Sequence, residues 1–295
     1  MQNFLASRLT QREWLLLAAS TMLFTLAVFG PDTAQPLHQH VFADSRRWVN
    51  LPNAIDVLSN FAFAEWGVAG LTSLHRLFKH QQASTEQVLA ALFFTGLMCN
   101  AAASGWYHLQ PDDAGLGVDR MGMVLAFAGL LGLAVAGRIS QRAGVAIAVA
   151  TLLFGPLSIW YWLSSGNVLP WLVIQFGGMA LILVMAFIKP SQGTLAVRWG
   201  MVVAVYFLAK LLELGDHEIY AWTGELVSGH SLKHLVAGVA AWPVLHALVW
   251  ANALLTQTAD LAQKNRAEFG LPRVRPLQLE SEMHGSEIIT SRIQA

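Results

Sequence analysis

Long apolar runs separated by short polar breaks organise this chain from Trp14 to Leu254. A helix needs roughly 20 mostly apolar residues to cross a bilayer, and the pattern yields about eight such runs. They are Trp14–Phe29, Ala54–Leu74, Val88–His108, Arg120–Ala136, Val145–Leu163, Trp171–Ile188, Val197–Leu214 and His230–Leu254. Gly30-Pro31, Gln110-Pro111, Gly166, Lys189-Pro190 and Gly215 fall in the breaks, where helix-ending residues belong. Beyond Leu254 the residues turn polar, which reads as a tail of one or two helical turns followed by disorder.

Composition supports a membrane reading. Of 295 residues 55% are apolar and 12% charged, with zero formal net charge. A soluble domain carries about twice that charged fraction. Helices can meet lipid directly because they satisfy their own backbone hydrogen bonds. Neutral overall charge gives no indication of a nucleic-acid partner. Placing the N-terminus inside puts thirteen of the 18 lysines and arginines on the cytoplasmic side, including Arg8, Arg12, Arg76, Lys79, Arg138 and Arg142. Arg46, Arg47, Arg120, Lys210 and Lys233 fall outside, so both termini are expected in the cytoplasm. The first run has basic residues ahead of it, like a signal peptide, but no clear cleavage site before Pro31, and it reads as a retained span. The single cysteine, Cys99, reads as a small buried apolar residue and gives no sign of redox compartment.

Ionisable groups inside spans are costly and are candidates for function. Here several share one depth. The third run ends outside with Ser104-Gly105-Trp106-Tyr107-His108, the fourth begins there with Asp119-Arg120, and the last begins with His230-Ser231-Leu232-Lys233-His234. His230 and His234 are four apart and lie on one helix face, as do Ser104 and His108. An isolated histidine pair is a weak signal and fits ordinary interfacial residues better than a metal site. A third histidine, a serine and an aspartate at matching depth favour a zinc site with one open position.

At these residues the chain resembles the alkaline ceramidase family, part of a membrane hydrolase group that also holds the progestin and adipoQ receptors. The matching elements are Ser104-x-x-x-His108, Asp119, His230-x-x-x-His234 and the stretch Pro52-Asn53-Ala54-Ile55-Asp56-Val57-Leu58-Ser59-Asn60, with the likeness running from about Asp44 to Leu254. The resemblance implies a seven-helix catalytic bundle at 31–255, preceded by an additional N-terminal helix within 1–30 and followed by a polar cytoplasmic tail at 256–295. It implies zinc held by His108, His230 and His234. Asp119 would act as general base on water and pass the proton to the leaving amine. Ser104 would donate to the developing oxyanion. The implied reaction cleaves the amide of an N-acylated, ceramide-like lipid that enters laterally from the membrane, releasing a fatty acid and an amine base. A receptor-like protein using the zinc structurally is the alternative, and an ion or proton transporter a third reading.

Two features depart from the family. Members that respond to calcium carry an acidic, Trp-containing stretch ahead of the bundle. Here Asp44, Trp48, Asn50, Asn53 and Asp56 remain as possible calcium residues, but Arg46 and Arg47 intrude and carboxylates are few. The additional span Trp14–Phe29 suggests a separate branch. Of the other polar residues, Asp216-His217-Glu218 reads as a solvated loop and Lys210–Glu213 as an internal ion pair. Asp56 stands near enough to support the site, and Glu65 is expected to face the bundle interior. His38 and His40 read as surface residues; His246, twelve residues beyond His234, is about 18 Å away along a helix and reads as a packing residue. Trp48, Trp106, Tyr107, Trp171 and Trp222 fit an interfacial aromatic belt.

Overall fold

The structure is a computed structural model that describes residues 8–78 and 83–268. Of the thirteen lysines and arginines placed on the cytoplasmic side, Lys79, Arg273, Arg275 and Arg292 lie outside the described residues. The described chain is helical: α1 (Gln11–Phe29), α2 (Ala54–Ser59), α3 (Phe61–Phe78), α4 (Thr85–Leu109), α5 (Asp113–Arg138), α6 (Gln141–Ser165), α7 (Leu169–Leu172), α8 (Gly178–Phe187), α9 (Trp199–Leu214), α10 (Asp216–Trp222), α11 (Gly229–Val239) and α12 (Trp242–Glu268). A π-helical turn, Val173–Gly177, joins α7 to α8 in one rod. Capping boxes start α1 at Thr10–Glu13 and α4 at Ser84–Gln87, each satisfying otherwise unpaired amides of a first turn.

Among the described residues, six helices are long and apolar enough to cross a membrane. They match the expected runs except at Ala54–Leu74 and Val197–Leu214. At the second of these, α9 spans only 16 residues. At the first, the helix breaks after Ser59. There the Ser59 hydroxyl and the Asn60 amide both donate to the Asp56 carbonyl, at 2.9 and 2.8 Å. Side chains thus take the acceptor that the Asn60 amide N–H would use in a continuous helix, and that N–H reaches back to Val57 instead. The last run also divides, at Ala240-Ala241, just ahead of Pro243, which lacks a donor and crowds the preceding turn. Past Leu254, α12 continues to Glu268, so the described part of the tail is more helical than its composition suggests.

The central helix is α5, packed between α4 and α6. Glycines permit this approach: a Cβ on Gly96 would meet the Ala126 backbone nitrogen at 2.2 Å, and one on Gly129 the Phe93 nitrogen at 2.2 Å. Small residues let helix backbones close in where there is no water to drive association. Apolar side chains instead cover the outside, with Phe29, Phe187 and Leu214 strongly exposed. Several expectations change. Cys99 is exposed on α4 rather than buried. Glu65 is exposed on α3, because Phe63, Gly67 and Gly70 occupy the inward face. Trp48, Trp106 and Trp222 are exposed as a belt requires, whereas Tyr107 and Trp171 are buried. Trp171 instead lies 5.5 Å from the Arg120 guanidinium, which stacks on Trp162 at 4.1 Å.

Candidate metal centre

The break after Ser59, the α4–α5 contact and the start of α11 converge at one end of the bundle. There the rings of His108, His230 and His234 form a near-equilateral triangle, with centroids 4.9, 5.0 and 4.9 Å apart. All three are buried, and their candidate ligand atoms lie within 4.8 Å of one another. Among the described residues they are the group of three or more His, Cys, Asp or Glu able to hold a metal ion.

The donor set fits a tetrahedral ion. With zinc–nitrogen bonds near 2.0–2.1 Å, two tetrahedral ligands stand about 3.3 Å apart. His108 Nε2 and His230 Nε2 are separated by 3.3 Å. His234 is oriented from behind. Its Nδ1 lies 2.8 Å from Ser59 Oγ, whose own proton goes to the Asp56 carbonyl. The hydroxyl oxygen must therefore accept Nδ1–H, which leaves His234 Nε2 deprotonated and facing the cluster. That buried Nε2 has no protein partner. Such a carbonyl–hydroxyl–imidazole relay is how proteins fix the tautomer of metal-binding histidines.

Asp56 ties α2 to α11. One carboxylate oxygen accepts from Ser231 Oγ at 2.5 Å and from Ser228 Oγ at 3.5 Å. Asp216, expected in a solvated loop, is buried at the start of α10. It accepts the His230 amide at 2.8 Å and the Ala43 amide at 2.9 Å, capping α11 while pinning the 30–53 loop. The loop is fastened elsewhere by Thr33 with Asn167 and by His40 with Tyr107 and Asp113. Phe42 from this loop packs on His108 and His230, at 4.7 and 4.5 Å between centroids. His40 is thus half-buried and fastened rather than a free surface residue, whereas His38 is exposed as expected.

A cavity of about 640 Å³ opens beside the histidines. Ser104 and Asp119 line it together with His230 and His234, and the Ser104 hydroxyl interacts with the Asp119 carboxylate. Deeper walls are apolar, including Phe93, Leu97, Phe127, Leu130, Met179 and Val202. Lys210 pairs with Glu213 as expected, but Glu213 also binds Lys233 at 3.0 Å. Phe42, Ser59, Asp216 and Lys233 are site residues whose part in the site was not read from the sequence. The i,i+3 spacing of His230 and Lys233 was the available signal for one of them.

The residues proposed for calcium do not offer a set of free oxygens. Both Asp44 oxygens bind the Arg46 guanidinium, at 2.8 and 2.6 Å. Burial works to raise the Asp44 carboxyl, but these bonds and the Arg46 amide outweigh it and hold it below its ordinary value. Trp48 and Asn50 are exposed, and the Asn53 amide donates to the His108 carbonyl at 2.8 Å. Asp56 Oδ1 is taken by α11, while its buried Oδ2 has no hydrogen-bond partner. Calcium takes six to eight oxygens, so binding it here would require parting Asp44 from Arg46.

Compared with known proteins, the chain matches no protein-family model and no curated protein sequence.

Proposed function

We propose that the protein is a zinc-dependent membrane hydrolase that cleaves the amide bond of an N-acylated, ceramide-like lipid. The observation that carries this reading is a cluster of three buried histidines, two of which, His230 and His234, line a cavity together with Asp119, Ser104 and a long apolar wall. His108, His230 and His234 would hold the metal. Zinc so held supplies Lewis acidity and makes water a better nucleophile near neutral pH. Asp119 takes the proton from water and returns it to the leaving nitrogen. Ser104, beside Asp119, donates to the carbonyl oxygen as charge builds there. Phe42 and the pinned loop exclude bulk water, which strengthens each of these interactions.

An apolar cavity within a lipid-facing bundle suits an acyl chain that enters sideways, with its amide at the polar end. The six apolar helices, with α2–α3 and α9 completing eight crossings, fit a multi-pass protein with cytoplasmic termini and the site near the outer face. Fatty-acid release from a panel of N-acyl lipids by the purified protein tests the activity. Release that stops with chelator and returns with zinc supports it. Zinc binding without hydrolysis of any member favours the receptor-like reading instead.

A further inference from the structure

Lys233 stands against the metal-facing side of the histidine cluster. Its Nζ lies 3.0 Å from His230 Nε2 and 3.0 Å from Glu213 Oε1. His230 Nε2 is in turn 3.3 Å from His108 Nε2. Lys233, Glu213 and Lys210 line the same cavity as Asp119 and Ser104.

A neutral imidazole nitrogen offers a single lone pair. On His230 Nε2 that pair either accepts an N–H from Lys233 or ligates a metal. Metal entry therefore moves the ammonium off Nε2, by rotation of its flexible four-carbon stem. Glu213 keeps the displaced group at the cavity wall, and the i,i+3 spacing keeps it on the His230 face of α11. It is left beside the position a carbonyl oxygen takes when it approaches the three histidines. Neutralising Glu213 does not explain this placement, because Lys210 already pairs with that carboxylate.

We infer that Lys233 is a further catalytic residue, donating a hydrogen bond to the carbonyl oxygen of the scissile amide and stabilising the negative charge that develops on it. This rests on the hydrolase reading above. As water adds to the carbonyl carbon, a C–O bond forms, the C=O π pair moves onto oxygen, and the water proton passes to Asp119. On collapse the pair re-forms C=O, the C–N bond breaks, and the Asp119 proton goes to the nitrogen. The products are a carboxylic acid and an amine. Lys233 keeps its protons throughout.

The test compares full-length wild type, K233M and K233R in two measurements: fatty-acid release and zinc affinity by chelator competition. K233M lowers kcat by about 10²–10³-fold with KM little changed, the size of losing one oxyanion donor. Its zinc affinity rises by about tenfold or more, because a cation no longer competes at Nε2. K233R, which keeps the charge, recovers part of the lost kcat. Wild-type kcat in K233M, or weaker zinc binding than wild type, overturns the assignment of Lys233 alone. Failure of the wild type to hydrolyse any N-acyl lipid overturns the hydrolase reading and this role with it.

Discussion

Replacing Ser59 with alanine removes one hydroxyl more than one helix away in sequence from every proposed metal ligand, yet it should weaken zinc binding. Ser59 Oγ accepts the Nδ1–H of His234 at 2.8 Å, and His234 is 1% exposed. In S59A that N–H is left buried without its acceptor, at a cost of about 1–3 kcal/mol. The imidazole can escape the cost by changing tautomer, but that puts the proton on Nε2, where the metal must bind. Either outcome lowers metal affinity, by about 10–100-fold on the scale of other outer-shell losses. That range corresponds to about 1.4–2.8 kcal/mol, which agrees with the cost of the orphaned N–H. Competition against a chromophoric chelator at fixed pH measures the ratio directly. An S59A affinity within twofold of wild type would refute the relay. Preserved folding can be checked by the melting temperature, since Asn60 still donates to the Asp56 carbonyl.

Three further outcomes follow from other parts of the molecule. D119N should keep one zinc per chain but lose about 10²–10⁴-fold in turnover, and unchanged turnover removes Asp119 as the base. Asp44 is held below its ordinary carboxylate value by Arg46, so it binds its proton less readily folded than unfolded. Its stabilisation is therefore present above about pH 4 and is lost as pH falls through the depressed value. The melting temperature of D44N should accordingly fall less steeply than that of wild type below about pH 4, and parallel curves would contradict the ion pair's role. G129A places a methyl 2.2 Å from the Phe93 nitrogen, so it should cost about 1–3 kcal/mol in unfolding from detergent, whereas a neutral result would show that α4 and α5 can separate freely.

The helical runs were legible because hydropathy along a single element carries that information. Ser104, His108, Asp119, His230 and His234 were legible because i,i+4 spacing and a common depth place them together without any knowledge of packing. The helix break at Asn60 was not, since it depends on two side chains competing for the Asp56 carbonyl. Asp216 was misread because its partners, the amides of Ala43 and His230, belong to segments that only the fold brings near. Glu65 was misplaced for a related reason. Its polarity argued for the interior, but the helix phase set by Phe63 and the α3 glycines turned it outward. The calcium stretch kept its residue types, and the side chain that takes up Asp44 is Arg46, two residues along.

Metal content of the purified protein, measured by mass spectrometry beside that of H230A, bears most directly on the central claim. His230 Nε2 lies 3.3 Å from His108 Nε2 and 3.0 Å from Lys233 Nζ. The account expects close to one zinc per wild-type chain and close to none in H230A, with the variant still folded. Full zinc stoichiometry in H230A, or a wild type that acquires no zinc when zinc is supplied, would contradict it.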